Sequence, residues 1–248
     1  MSDAVTYDRL LNGRVQLIQP ACGYRAGIDP VLLAAAVPAR AGERVLDLGA
    51  GVGAASLCLA ARVPGVSVAG LEIDLELVRL AVAGAQLTQV DDRIVFYAGD
   101  VMSAPRLLEP ESYDHVMTNP PFMVSGKGRR PASAGKAAAT IETGAVLDDW
   151  LRAAAAMVRP GGAVTIIHRA DRLNAMLAAL AKRFGAMVIY PLWPAMSRPA
   201  KRVIVSARKG SAAPLRLLPG LVLHANGLYT KEADAVLRHA KELLLADP

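Results

Sequence analysis

Cysteine is scarce: Cys22 and Cys58 are the only two in 248 residues. They share no metal-ligand spacing, and a single pair supplies no disulfide framework. The four histidines, His115, His168, His224 and His239, are scattered without the spacing of a metal site, so no metal is expected. No acid–histidine–serine arrangement stands out either. No window holds eighteen uninterrupted apolar residues, which argues against a membrane-spanning helix and against a membrane partner. The opening MSDAVTYDRL puts Asp3, Asp8 and Arg9 where a secretory signal needs its apolar centre. Together with the few cysteines, this leads us to expect a reducing, cytoplasmic setting. Heptads and internal repeats are missing too. What remains is 53% apolar and 20% charged, a globular rather than a disordered composition. A formal net charge of +6 permits an anionic partner.

Short apolar runs alternate with helical patterns, the βαβ rhythm of an α/β fold with a parallel sheet. Strands are expected at Arg44–Leu48, Ser67–Glu72, Arg93–Tyr97, Tyr113–Thr118 and Ala163–His168. Two more are expected at Ala186–Tyr190 and Arg202–Ala207, divided by the proline-rich PLWPAMSRPA. Helices are expected at Gly53–Arg62, Asp74–Gln86, Leu147–Val158 and Lys231–Leu245. Residues 1–40 do not follow the rhythm and read as an appendage to a body spanning 41–248. Val124–Gly144 is rich in Gly, Ser, Ala and basic residues and reads as a mobile basic loop, 124–144. Open parallel sheets bind ligands beyond the carboxyl ends of their strands, and the motifs below fall there.

Asp47-Leu48-Gly49-Ala50-Gly51-Val52-Gly53 joins the first strand to a helix. Its glycines allow tight turning and close approach of a ligand to backbone N–H groups. Gly49, Gly51 and Ala54 also fit the relaxed dinucleotide fingerprint, and a plain structural turn is a third possibility. Glu72, ending the second strand, can accept both ribose hydroxyls of a nucleoside cofactor, or be a solvated strand-end acid. Asp100, after the third strand, can accept from an adenine amino group, or simply form a turn. Asn119-Pro120-Pro121-Phe122 follows the fourth strand. Two prolines fix the backbone and present its carbonyls rigidly. The Asn119 side-chain carbonyl and the Pro120 carbonyl can then hold the two hydrogens of a planar amino group. Phe122 offers a face on which a base can stack.

These motifs together resemble the class I S-adenosylmethionine-dependent methyltransferases that act on amino groups, over roughly Gly42–His168. The resemblance implies a Rossmann-like, seven-stranded, mostly parallel sheet with helices on both faces, and S-adenosylmethionine as cofactor. The flanking segments, Gln19–Leu33 (QPACGYRAGIDPVLL) and His224–Glu232 (HANGLYTKE), are similar to those of bacterial tRNA adenine-N6 methyltransferases. On that likeness Asn119, Pro120, Pro121 and Phe122 are catalytic. Tyr24, Arg25, Gly27 and Asp29 line the cofactor's methionine end, closed over by residues 1–40. Asp47, Gly49, Gly51 and Gly53 form its cradle. Glu72 takes the ribose and Asp100 the adenine, and Ile73 and Val101 are cofactor-binding residues beside them. The alternative for Arg25 and Asp29 is a local ion pair capping the helix that starts at Asp29.

Charge points the same way. Arg172 through Lys231 carries ten Lys or Arg and no Asp or Glu, and His115 through Ile141 carries Lys127, Arg129, Arg130 and Lys136 unopposed. A basic face suits phosphates, and Lys127, Arg129, Arg130, Arg198, Lys201 and Arg202 are the residues expected to meet RNA, most simply tRNA. The competing readings are methylation of guanine N2 in rRNA or of a protein glutamine N5. Further off stand a nucleotide-binding oxidoreductase, which leaves Asn119–Phe122 unexplained, and a non-catalytic RNA-binding protein.

Overall fold

The strands alternate their burial between two faces, and that alternation sets the layers. In the computed structural model, which describes residues 4–22, 25–121, 123–124, 141–142 and 147–245, Val45 faces one apolar core while Leu46 and Leu48 face another. The chain opens with strands β1 (Val5–Leu10) and β2 (Val15–Pro20) and helix α1 (Asp29–Ala36). The sheet and its crossovers follow as β3 (Arg44–Leu48), α2 (Ala54–Arg62), β4 (Ser67–Glu72), α3 (Leu75–Thr88), β5 (Ile94–Ala98), α4 (Ala104–Leu107) and β6 (Tyr113–Thr118). Two short strands, β7 (Met123–Val124) and β8 (Ile141–Glu142), pair with each other. Then come α5 (Leu147–Met157), β9 (Val158–Arg169), α6 (Leu173–Leu180), β10 (Phe184–Ala195) and β11 (Arg202–Lys209). The chain closes with β12 (Arg216–Leu217), β13 (Leu221–Ala225), β14 (Leu228–Tyr229) and α7 (Lys231–His239).

The ten-stranded sheet runs β14-β13-β10-β11-β9-β6-β3-β4-β5, with β12 also against β10. Its seven-strand body, β5 to β10, is the expected one: parallel from β5 to β9, with β11 antiparallel to both neighbours. The extension by β12, β13 and β14 was not expected. Helices α1, α2, α3 and α7 cover one face, and α4, α5 and α6 cover the other. None of the described helices is long and apolar enough to cross a membrane. Strand order reverses between β3 and β6, which opens a crevice at their carboxyl ends.

Several boundaries differ from expectation, β9 beginning at Val158 instead of Ala163 among them, and three of the differences have clear physical reasons. Strand β10 runs through Pro191 and Pro194 instead of stopping before them. Pro191 precedes the first β10–β13 pair at Leu192, and Pro194 lies past the last β11 pair and is itself unpaired with β13. Each proline therefore sits where at least one ladder needs no donor. Helix α7 stops at His239, because Ala240 turns left-handed (φ 59°) and Lys241 N–H closes onto the Ala235 carbonyl. Helix α2 starts at Ala54, after a left-handed Gly53.

Residues 4–22 and 25–40 hold the β1–β2 hairpin and α1. The hairpin leans on α3, where Gln16 N–H donates to Thr88 Oγ1 at 3.0 Å. Helix α1 is apolar all round and packs on α2 and α7. Pro30 lies in its first turn, where a missing N–H costs nothing.

Candidate active site at the sheet's switch point

Three glycines turn the chain out of β3, all left-handed: Gly49 (φ 71°), Gly51 (φ 56°) and Gly53 (φ 78°). They are not equivalent. A Cβ on Gly49 would lie 2.5 Å from the Trp150 ring, and one on Gly53 would lie 2.7 Å from Phe96. A Cβ on Gly51 would meet nothing within 4 Å. Packing therefore forbids side chains at the first and third positions, while the second borders open space. Gly49 and Ala50 N–H both donate to the Leu71 carbonyl, at 2.8 and 3.0 Å, which locks the loop against β4.

Glu72 is buried at the end of β4 with both oxygens in use: Oε2 accepts from Gly51 N–H at 2.8 Å and Oε1 from Asp74 N–H at 3.0 Å. Each oxygen keeps a further lone pair, so the fixed carboxylate can still accept two hydroxyls. Ile73, next to it, is exposed. Asp47 is only 2% exposed beneath the loop, and Ser56 Oγ donates to its Oδ2 at 2.7 Å. Burial, helped by the Glu72 charge, pushes the Asp47 carboxyl up to about 7, against the opposing pull of Ser56. Asp100 is exposed and caps the following turn through Met102 N–H at 2.9 Å, while Val101 is buried behind it.

Across the crevice, Thr118 Oγ1 donates to the Leu48 carbonyl at 2.8 Å, tying the end of β6 to the root of the glycine loop. Asn119 follows. Its Oδ1 is buried and accepts no hydrogen bond. A buried carbonyl oxygen without a donor costs about 1–3 kcal/mol until something donates to it. Pro120 is buried, and the backbone of Pro121 faces the ring of fully buried His168. Burial holds the His168 ring down to about 4, so it is neutral at physiological pH. Phe122 lies outside the described residues, as do Tyr24, Lys127, Arg129, Arg130 and Lys136.

The N-terminal motif is held from two sides, and not by an Arg25–Asp29 pair. Arg25 binds Asp8 at 2.6 Å and Thr6 Oγ1 at 2.6 Å on the hairpin. Buried Gln19 donates to Asp8 at 3.1 Å and accepts from Ala26 N–H at 2.7 Å. Asp29 pairs instead with Arg202, at 2.8 Å, which fixes the start of α1 to the start of β11. Gly27, between these ties, is exposed with open space beside it. Of the cations expected to meet RNA, Arg198 and Lys201 are exposed, whereas Arg202 is half-buried in its ion pair.

Glycine loop, Glu72, Asp100 and Asn119 thus converge from four strand ends on one crevice. Sequence reasoning missed four supporting residues: Ser56, Trp150, Thr118 and His168. Ser56 and Thr118 are ordinary polar positions until the fold buries them. Trp150 lies a hundred residues from the glycine it seals, so no spacing advertises it. For metals, the described residues include no cluster of three or more His, Cys, Asp or Glu.

Residues 26–190 match the family model described as the methyltransferase small domain. A Porphyromonas gingivalis protein named tRNA1(Val) (adenine(37)-N6)-methyltransferase is 30% identical, over 88% of this chain and 89% of that protein. Its namesake from Dickeya chrysanthemi is also 30% identical, over 86% of this chain and 83% of its own. Among solved structures, one from Agrobacterium tumefaciens described as a predicted O-methyltransferase superposes with a TM-score of 0.73. It is 28% identical, covering 87% of this chain and 98% of that one.

Proposed function

This chain belongs to the methyltransferase small domain family, and from that premise we propose that it methylates the N6 amino nitrogen of an adenine in tRNA. S-adenosylmethionine is the methyl donor; when bound it supplies a methyl group made electrophilic by its sulfonium. The observation that carries the reading is the Asn119 Oδ1 just past the end of β6, buried and without a donor among the described residues.

The residues present fit such a cofactor. Open space beside Gly51 admits it, and the pinned Glu72 carboxylate accepts its ribose hydroxyls. Ile73 gives its adenine an apolar contact, and Asp100 with Val101 holds the amino edge. Asp47, ionised, attracts its ammonium through the glycine loop. Tyr24, Arg25, Gly27 and Asp29 close the methionine end, with residues 1–40 acting as the cover of a methyltransferase body spanning 41–248.

On the acceptor side, Asn119 Oδ1 and the Pro120 carbonyl take the two hydrogens of the amino group. That directs the nitrogen lone pair at the methyl carbon and favours the more tetrahedral nitrogen that develops as the bond forms. A methyl donor held there would take the C–S bonding pair with its sulfur, and the nitrogen's surplus proton would pass to water, so no strong base is required. Two acceptors suit an amino group; a hydroxyl would leave one unfilled, which is why we favour nitrogen over oxygen. Phe122 stacks the target base once it has left its neighbours. Lys127, Arg129, Arg130, Arg198 and Lys201 meet phosphates, while Arg202 shapes the rim through Asp29. The enzyme acts in the cytoplasm, where its tRNA is.

Incubation with labelled S-adenosylmethionine and unmodified total tRNA, followed by digestion to nucleosides, tests this. Label in N6-methyladenosine is the expected result. Label in another nucleoside would discard adenine, and label only in protein would discard RNA.

A further inference from the structure

Strand registers raise one edge of the site above the rest. Arg202 opens β11 opposite Arg169, at the sheet end that also carries Asn119. Leu192 of β10 pairs with Arg202, yet β10 continues to Ala195, paired there with His224 of β13. Strand β13 then turns at left-handed Asn226 and Gly227 into β14. Three residues of strand therefore project beyond Arg202, about 10 Å at roughly 3.3 Å each. Strand β10 stands three strand spacings from β6, roughly 14 Å. The root of this ribbon is stiff: His224 stacks on Tyr229 with centroids 4.7 Å apart, and Trp193 Nε1 donates to the Pro219 carbonyl at 2.9 Å.

The rim of the ribbon has an uncommon chemistry. Met196 is 87% exposed and Leu228 is 74% exposed. Leu228 pairs with Ala225, and Met196 follows Ala195, whose partner His224 is the residue before Ala225, so both lie at the same end of the ribbon. Arg198 closes the turn that follows β10, its N–H donating to the Ala195 carbonyl at 3.0 Å, and Lys201 immediately precedes β11, which pairs with β10. Among the described residues neither cation has an acidic partner, whereas Arg169 is paired with Asp171 and Arg202 with Asp29. No acid lies anywhere between Arg172 and Lys231 to supply one in sequence. Two unopposed cations beside two bare apolar side chains call for a ligand carrying both phosphates and accessible flat apolar faces. Unpaired RNA has both; a duplex buries its base faces in the stack.

We propose that this ribbon binds the unpaired loop nucleotides flanking the target base, with Arg198 and Lys201 on phosphates and Met196 and Leu228 against exposed base faces. The inference rests on RNA being the substrate and specifies which part of the RNA, and where. The cofactor then occupies the β3–β5 half of the sheet, and the RNA strand lies along the β9–β14 half.

Fluorescence anisotropy of a labelled RNA hairpin with an unpaired loop, and of a duplex of equal length, tests it across a salt series. Arg198→Glu with Lys201→Glu should weaken hairpin binding about tenfold or more. It should also flatten the slope of log K against log salt by about 1.4, at about 0.7 per lost single-strand phosphate contact. Met196→Ser with Leu228→Ser should weaken hairpin binding about fivefold or more, leaving the salt slope and duplex binding unchanged. Unchanged hairpin affinity in either variant overturns the proposal, as does equal weakening toward the duplex by the apolar pair. Melting temperature and cofactor binding check the folds; if the glutamates unfold the chain, glutamines at both positions carry the same test. Absence of tRNA methylation by the wild type, with these dependences intact, would sink the enzymatic reading and leave the surface standing.

Discussion

Replacing Asp47 with Asn should make the cofactor-free protein more stable at neutral pH. The wild-type carboxyl is buried beneath the glycine loop and titrates at about 7 instead of 3.8. Between those values the folded chain keeps a proton that the unfolded chain releases. Stability contributed by the protonated group is therefore fully present below about 3.8 and lost as pH rises through 7. A displacement of roughly 3 pH units at about 1.4 kcal/mol each sets a ceiling near 4 kcal/mol. Asn cannot ionise, and its amide oxygen can still accept from Ser56 Oγ. The variant-minus-wild-type stability should thus grow by up to about 4 kcal/mol between pH 4 and pH 8. For a chain of this length that is on the order of 10 °C in melting temperature. Paired thermal unfolding of both proteins across that series reads it, since titrating groups that do not interact with Asp47 cancel in the difference. A difference that stays flat with pH, or one that favours the wild type as pH rises, refutes the reasoning. The same variant should bind S-adenosylmethionine more weakly, and wild-type affinity should fall as pH drops below 7, because the ammonium needs an ionised partner.

Asn119→Ala should cut kcat by about 10²–10³-fold while the cofactor dissociation constant moves less than about threefold, read by single-turnover assay and calorimetry; equal loss of both would remove its assigned role. Glu72→Ala should do the reverse, raising that dissociation constant about tenfold or more before kcat at saturation changes. Gly49→Ala should cost well over 2 kcal/mol in urea unfolding, because a left-handed Ala adds to a collision with Trp150. Gly51→Ala should cost only the backbone term of about 1–2 kcal/mol and show its larger effect in cofactor affinity.

Much of this was readable before any coordinates, for identifiable reasons. Buried parallel strands announce themselves as short apolar runs, so β3, β4 and β6 match their expected bounds residue for residue. Strand ends bearing Glu72, Asp100 and Asn119 are conspicuous because polar residues abruptly end those runs. The roles within the glycine loop were not readable: Gly49, Gly51 and Gly53 look alike in sequence, and only the rings of Trp150 and Phe96 distinguish them. The partners of Arg25 and Asp29 were hidden for a related reason. Proximity along the chain suggested a local pair, whereas the fold brought Asp8 and Arg202 to them from 17 and 173 residues away. Proline generally breaks a ladder, so the sequence implies a shorter β10, and only the register shows where its missing donors are not needed.

The ties on α1 also set an order of events during synthesis. Its first residue is paired with Arg202, and its Ala35 carbonyl accepts from Leu243 N–H at 2.8 Å, near the other end of the chain. Helix α1 is thus made well before the residues that complete its contacts. It packs on α2, which follows it closely in the chain, but also on β6, β9 and α7, which are made much later, so its apolar residues stay partly uncovered until those elements emerge.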